Sequence, residues 1–362
     1  MPQIYFITDD WQEQSWFSTG GTRAKAYFAN PEGEYFYFKQ SEYKPAHDGK
    51  PEKNYTYEFW SEIIAYEIGS LLGFNVLQYD IAINGDKIGC LSRSMINSDI
   101  EELVEAIKYL KSFDNSFNPE IYAFRNKYSF QLIEKSLAKF GLDTFMEHFI
   151  EMVVFDAIIG NSDRHQENWA FINKFSVVSF GIDLIQKDSF LFKAQESPWP
   201  INKMMVWAHK YFKNNANKNS IERVKLTNTS DQSFAPIYDS GSSLGRELQP
   251  DKIDELLNND ERLNSYVMKG KSEIHWNQKK INHFDFIQQL FESSYCEIVH
   301  NSITRVKNLF NADRINELVL NVDFSLPDDL RNHKIPDNRK RLIIKLITLR
   351  IQKLGEILNG GI

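Results

Sequence analysis

A change of hydrophobic period near residue 96 constrains the fold more than any other feature of the chain. Before it, aromatic and β-branched runs at residues 4–7, 24–29 and 35–38 are punctuated by Gly20-Gly21 and by Asn30-Pro31-Glu32-Gly33, the pattern of short strands joined by hairpins. Two further runs, at 76–82 and 87–94, flank the turn signal Asn84-Gly85. One helix interrupts them. Over residues 57–72, Trp60, Ile63, Ile64, Ile68 and Leu71 fall on one stripe, and Gly73 supplies the stop. From residue 99 onward the period is helical, over 100–111, 129–140, 143–159, 284–291, 302–310 and 339–358. The expected architecture is therefore α+β: a small β-rich lobe over 1–96 carrying one helix, and a larger, mainly helical lobe over 97–362. Residues 174–230 end in an Asn-rich polar run and read as an insertion in the second lobe.

A chain of 362 residues with 42% hydrophobic content has ample material for such a core. It offers no stretch of roughly 18 uncharged apolar residues. The start, MPQIYFITDD, lacks a basic region followed by an apolar run, so the chain reads as cytoplasmic. Cys90 and Cys296 are too few and too distant for a disulfide framework or a zinc site. A net charge of −7 gives no general attraction to nucleic acid, and none is expected as a partner. The basic residues of the C-terminal segment, Arg339-Lys340-Arg341 to Lys353, read as a solvated helix face.

Two polar strings break the helical pattern, and both carry carboxylates. In Gly160-Asn161-Ser162-Asp163-Arg164-His165-Gln166-Glu167-Asn168-Trp169, an Asp and an Asn stand five residues apart, after a long helix and before a strand-like run. In Phe234-Ala235-Pro236-Ile237-Tyr238-Asp239-Ser240-Gly241, a second carboxylate leaves a strand beside a glycine. Phosphoryl transfer needs this set: a carboxylate to orient the attacking hydroxyl, and oxygen ligands for the magnesium that neutralises a triphosphate. Asp163 then reads as the base, and Asn168 and Asp239 as Mg2+ ligands. Upstream, Gly20 and Gly21 lie between two strands, where a backbone can approach phosphate oxygens. Lys39 closes the next strand as the candidate ATP lysine, and Glu62 on the following helix is its candidate ion-pair partner.

The order of glycine loop, strand Lys, helix Glu, Asn-x-Asp-Arg-His-x-x-Asn-Trp and Ile-Tyr-Asp-x-Gly-Ser resembles the HipA-like serine/threonine protein kinases. The resemblance spans most of the chain outside the insertion and implies a two-lobed protein-kinase-like fold using ATP and Mg2+. It also implies a protein substrate, and a toxin or effector role with an antitoxin or small partner. It places Ser94, Met95 and Ile96 near the adenine hinge. His165 is grouped with the nucleotide-binding residues but read as bracing the loop rather than moving protons. Only about 17 residues precede the glycine loop, as in compact members without the extra N-terminal subdomain. Two features depart from the pattern: the long separation of Asn168 from Asp239, and Tyr37, bulky for a strand position beside the nucleotide.

Three other readings remain open on sequence: a phosphatidylinositol-kinase-like enzyme with a similar Asp-Arg-His-x-x-Asn string, a pseudokinase that binds a partner without turnover, and a Walker-type ATPase built on Lys269-Gly270-Lys271-Ser272. The last lacks its leading glycine, since Ser265 stands there, and the stretch reads as a mobile basic loop. The resemblance further implies autophosphorylation in the glycine loop, at Ser18 or Thr19. A phosphate there adds about −1.5 to −2 charge beside the nucleotide's own phosphates and should weaken ATP binding. Mass spectrometry is expected to find phosphate on residues 18–22 of active protein and none on the Asp163→Ala variant. An unmodified loop in active protein would remove this expectation.

Overall fold

A computed structural model of the chain describes residues 1–14, 25–44, 52–182 and 222–360. These fall into two compact units. One comprises residues 1–96, 103–172 and 233–362; the other comprises 97–102 and 173–232. The first contains every candidate site residue that is described.

Its N-terminal part is a six-stranded sheet formed by β1 (Ile4–Ile7), β2 (Gln12–Glu13), β3 (Lys25–Ala29), β4 (Tyr35–Lys39), β7 (Asp80–Asn84) and β8 (Lys87–Arg93), in the order β1-β7-β8-β4-β3-β2. Between β4 and β7, β5 (Tyr43–Lys44) and β6 (Lys53–Asn54) form a separate two-stranded ribbon. The β3–β4 hairpin closes as the sequence indicates. Asn30 Oδ1 accepts the Glu34 N–H at 2.7 Å, and Gly33 takes φ +80°, a conformation open to a residue without Cβ. The register sets Lys25 directly opposite Lys39, and β8 pairs Cys90 with Lys39. Helix α1 (Glu58–Leu71) buries Trp60, Ile63, Ile64 and Ile68 in the main core with Ile81, Ile83 and Cys90, and Gly73 at φ +77° follows its end. A smaller apolar cluster gathers Ile7, Phe28, Phe36, Phe38 and Leu91.

The C-terminal part is built from α2 (Ala106–Phe113), α3 (Phe130–Lys139), α4 (Met146–Ile159), α5 (Pro250–Leu257), α6 (Asp260–Lys269), α7 (His283–Phe291), α8 (Cys296–Leu309), α9 (Ala312–Asn321) and α10 (Asp337–Leu358). Helix α4 is apolar on nearly all sides and occupies the middle of the part, touching α7, α8 and α10. Four helices start where a Ser or Asn side chain accepts a first-turn N–H: Ser129, Asn259, Asn282 and Asn311. The second unit is built on a three-stranded sheet in the order β11-β10-β9, formed by β9 (Glu101–Glu105), β10 (Ala170–Ile182) and β11 (Glu222–Phe234), whose strand ends lie in the first unit. No helix among the described residues is long and apolar enough to cross a membrane.

Three expectations need correction. Residues 100–111 are not one helix: Glu101–Glu105 is a strand beside β10, and α2 starts only at Ala106, where Ala106 and Ile107 donate to the carbonyls of Trp169 and Gln166. Backbone pairing across the fold overrides the local helical period there. The stretch Lys269 to Ser272 is an ordered connection, with Gly270 accepting from His283 at 3.1 Å, Lys271 bridged to Asn282, and Ser272 buried. It follows a helix, whereas a Walker loop opens one.

The basic face of α10 is the third correction, because Arg339, Lys340 and Arg350 are buried. Arg339 donates to the carbonyls of Gly245 and Leu248 and lies over the Tyr57 ring. Arg350 donates to the Ala157 carbonyl at 3.1 Å, and burial lowers its pKa to about 10. Lys340 binds Asp323 at 2.6 Å and the Leu320 carbonyl at 2.9 Å, while the other Asp323 oxygen accepts the Ile335 N–H. Removing one partner of such a buried pair strands the other charge. Lys340→Met should therefore lower the unfolding free energy by about 3 kcal/mol, and the Lys340→Met/Asp323→Asn double variant should recover part of it in denaturant titrations. Additive losses would show that the two groups are not coupled.

Candidate active site

Helix α4 delivers the first loop. Its end is set by Gly160 at φ +68°, a left-handed conformation that favours glycine, and a Cβ there would also press on the Arg350 guanidinium, 2.6 Å away. Asn161 is buried and doubly held: its N–H donates to the Asp156 carbonyl and its amide nitrogen to Asp156 Oδ1, both at 3.0 Å. Its own oxygen accepts the Asp163 N–H at 3.2 Å, an Asx-type turn that fixes the direction of Asp163. The Asp163 carbonyl accepts from the His165 N–H at 2.9 Å and from the Asn168 side-chain nitrogen at 2.8 Å. Asn168 thus commits its nitrogen inward, which leaves its amide oxygen as the atom suited to a cation. Asp163 Oδ2 accepts the Ser242 hydroxyl at 3.1 Å.

Arg164 is the hub beneath this loop. It is 1% exposed, and its guanidinium grips Asp156 through Nε at 3.0 Å and Nη2 at 2.9 Å. The other nitrogen donates to the Asn168 carbonyl at 2.8 Å and to the Tyr238 carbonyl, one residue before Asp239. Burial works against its charge, but Asp156, with Asp239 and Tyr238 adding to it, outweighs burial and raises the Arg164 pKa above the ordinary guanidinium value. Below it, Trp169 donates to the Tyr128 oxygen at 2.9 Å, and the Tyr128 hydroxyl donates to the Arg164 carbonyl at 3.0 Å. His165 Nδ1 accepts the Glu167 N–H at 3.3 Å, so this ring stiffens the loop locally.

The second string meets the sheet. Ile237 exchanges backbone hydrogen bonds with Asn75 and Leu77, and the chain then turns through Asp239 at φ +56°, a left-handed conformation that Asp tolerates. The Asp239 carboxylate reaches Lys39 through Oδ1 and Lys25, at 3.8 Å, through Oδ2. Lys39 is simultaneously bonded to Glu62, and both are buried. The other Glu62 oxygen accepts the Ser240 N–H at 2.7 Å, tying α1 to the residue after Asp239. Burial and the Glu62 and Asp239 charges together hold the Tyr79 hydroxyl and the Cys90 thiol in their neutral forms, well above their ordinary pKa values. Two glycines permit this packing. A Cβ on Gly89 would fall 2.3 Å from the Lys39 carbonyl oxygen, and one on Gly241 would fall 2.9 Å from Glu62 Oε1.

The structure therefore brings Lys39, Glu62 and Asp239 into contact. It sets Asp163 and Asn168 on one loop, joined to the Asp239 segment through Arg164 and Ser242. Ser94 follows β8, donating its N–H to the Tyr35 carbonyl at 2.8 Å and its hydroxyl to the Ile96 carbonyl at 3.0 Å. Met95 packs with Leu77 and Ile172 against Ala170, Ala235 and Tyr238, an apolar patch. Tyr37 lies against the ring of Tyr27, with centroids 4.7 Å apart. Ser18, Thr19, Gly20 and Gly21 lie outside the described residues, as does most of 174–230. Sequence reasoning missed Asp156, Tyr128 and Lys25, and held Ser242 only as the last residue of the Ile-Tyr-Asp-x-Gly-Ser string. Of the first three, Asp156 left a signal, a lone acid in the otherwise apolar second half of α4.

The fold and the loop geometry together define a class: a two-lobed protein-kinase-like α+β fold. No protein-family model matches the chain. It is similar to the serine/threonine-protein kinase CtkA of Helicobacter pylori (strain J99), 22% identical over 317 residues that cover 84% of this chain and 76% of that protein. It also superposes on the crystal structure of the H. pylori proinflammatory kinase CtkA with a TM-score of 0.67 and 16% identity, over 99% of both chains. HipA of Shewanella oneidensis MR-1, solved with HipB and its operator DNA, superposes with a TM-score of 0.43 and 13% identity, covering 95% of this chain and 65% of that one. The resemblance read from the motif order, and the α+β kinase-like fold it implied, are borne out.

Arg164→Lys tests the hub. Lysine keeps the charge but cannot hold Asp156 through two nitrogens and reach two carbonyls as well. The variant should lose about 2 kcal/mol of unfolding free energy, and Asp156→Asn added to it should cost less than it does in the wild type. A denaturation curve coincident with wild type would show that the guanidinium fork does not hold the loop.

Proposed function

We propose that the protein is an ATP- and Mg2+-dependent serine/threonine protein kinase that transfers the γ-phosphate of ATP to a protein hydroxyl. One observation supports this above the others: Lys39 is bonded at once to Glu62 on α1 and to Asp239 after the Ile237 bridge, with Asp163 and Asn168 on the adjoining loop. CtkA, similar in sequence and in fold, is a named serine/threonine-protein kinase.

The donor set fits the groups this reading requires. Asp239 and the Asn168 amide oxygen are hard oxygen ligands of the kind magnesium prefers, and Lys39 presents an ammonium held in place by Glu62. Magnesium, when bound, supplies charge neutralisation on the triphosphate. Asp163 accepts the proton of the attacking hydroxyl, with Oδ2 steadied by Ser242 and its backbone fixed by Asn161. Lys39 orients phosphate oxygens, and Glu62 keeps its ammonium from collapsing wholly onto Asp239. Ser94, Met95 and Ile96 present backbone groups and an apolar surface to the adenine. The same reading includes autophosphorylation at Ser18 or Thr19, a lobe boundary near residue 96, and residues 174–230 as a peripheral module that selects a substrate or partner. It places the enzyme in a cytosol, its own or that of a host, where an antitoxin-like partner would meet it.

In a radiolabelled ATP assay with a generic protein substrate, Asp163→Ala should transfer phosphate on the order of 10²–10⁴ times more slowly than wild type. Asp239→Asn, which keeps the left-handed turn, should lose magnesium-dependent nucleotide binding in calorimetry. Wild-type rates in the first variant, or unchanged metal dependence in the second, would refute these roles.

A further inference from the structure

We infer that Arg246 and Glu58 form a positioning pair that holds α1 at the depth where Glu62 meets Lys39; this rests on the kinase reading above. Glu58 and Glu62 stand four residues apart on α1, both fully buried, and like charges at that spacing repel across one helical turn. Each is matched by its own cation and its own backbone N–H. Glu62 takes Lys39 with one oxygen and the Ser240 N–H, at 2.7 Å, with the other. Glu58 takes Arg246 with Oε1 and the Glu42 N–H, at 2.9 Å, with Oε2. Both carboxylates therefore join α1 to the same two stretches of chain, the one that leaves β4 and the one that follows Asp239.

Arg246 acts from a fixed base. Arg339 on α10 donates to the Gly245 and Leu248 carbonyls, on either side of it, and the Arg246 guanidinium lies 4.3 Å from the centre of the Tyr55 ring. Gly241 lies against both acids: a Cβ there would fall 3.1 Å from Glu58 Cγ and 2.9 Å from Glu62 Oε1. Ser61, between them on α1, donates to the Ser243 carbonyl at 3.4 Å. Without the Arg246 charge, Glu58 must take up a proton or move out to water, and either change loosens the start of α1. A helix moves as a unit, so Glu62 shifts with it and Lys39 is left to Asp239. Arg246 thus acts through α1 on the direction of the Lys39 ammonium, with no share in the chemistry.

Steady-state kinetics on the full chain test this, with MgATP varied against a generic protein substrate and each variant assayed below its own unfolding midpoint. Arg246→Met should lower kcat on the order of 10–100-fold, the scale of a misplaced reacting group, with adenosine affinity in calorimetry unchanged, and Arg246→Lys should recover part of the loss. A cycle with Glu62→Gln decides the matter: once Glu62 no longer holds Lys39, adding Arg246→Met should lower kcat by less than about threefold more. Losses that multiply independently would overturn the inference. So would a wild-type kcat in Arg246→Met with only a lower unfolding midpoint, the mark of a purely structural pair, or an equal weakening of adenosine binding, the mark of general damage to the cleft. Wild-type protein that transfers no phosphate from MgATP would refute the kinase reading itself, and this role with it. Should Arg246→Met fail to fold, the Glu58→Gln/Arg246→Gln double variant, which exchanges the two ions for amides, carries the same cycle.

Discussion

A single ammonium buried between two carboxylates organises this molecule. Lys39 closes β4, Glu62 lies on α1, and Asp239 follows a bridge formed with the segment after α1, so three separate stretches converge on one nitrogen. Taking such charges out of water is costly, and the second oxygen of each carboxylate meets a further partner. Glu62 accepts the Ser240 N–H, Asp239 meets Lys25, and Tyr79 and Cys90 nearby stay neutral. The position of α1 against the sheet and the course of the chain after Tyr238 are thus set by the same contact. Packing alone would leave that helix free to slide by fractions of a turn, whereas a buried charge admits few alternatives.

Arg164 applies the same logic one layer lower. Its guanidinium is planar and forked, so meeting Asp156 on one edge fixes where the other edge points, toward the Asn168 and Tyr238 carbonyls. The loop bearing Asp163 and the turn bearing Asp239 are separated by more than sixty residues of chain. Through this one side chain they hold a common register. Ser242 adds a second tie, from hydroxyl to Asp163 carboxylate. Polar groups on loops are thereby placed with the definition usually reserved for strands and helices.

Much of this was legible before any coordinates. Periodicity located α1, α3, the C-terminal helix and the hairpins of the sheet, because each buries one face or turns on a glycine that must adopt positive φ. The polar strings at 161–169 and 239–241 stood out because they interrupt that periodicity. What stayed hidden depends on distant partners. Residues 101–105 follow a helical period yet pair with β10. Arg339, Lys340 and Arg350 look solvated until Gly245, Asp323 and Ala157 come to meet them. Helices α5, α6 and α9 are short and strongly polar, so their apolar stripes hold only two buried residues each. Ser242 belongs to the Ile-Tyr-Asp-x-Gly-Ser string, yet its bond to Asp163 is invisible until the two loops meet.

Gly89 has a consequence for how such chains are judged. A methyl group there would meet the Lys39 carbonyl oxygen, a backbone atom that cannot swing aside as a side chain would. The strand would move, and with it the ammonium, while Lys39, Glu62, Asp163, Asn168 and Asp239 all remained in the sequence. A relative bearing alanine or serine at this position would pass every inspection of its polar residues and still present a misaligned site. In this architecture, competence is written partly in a hydrogen atom, and an inventory of functional groups does not record it.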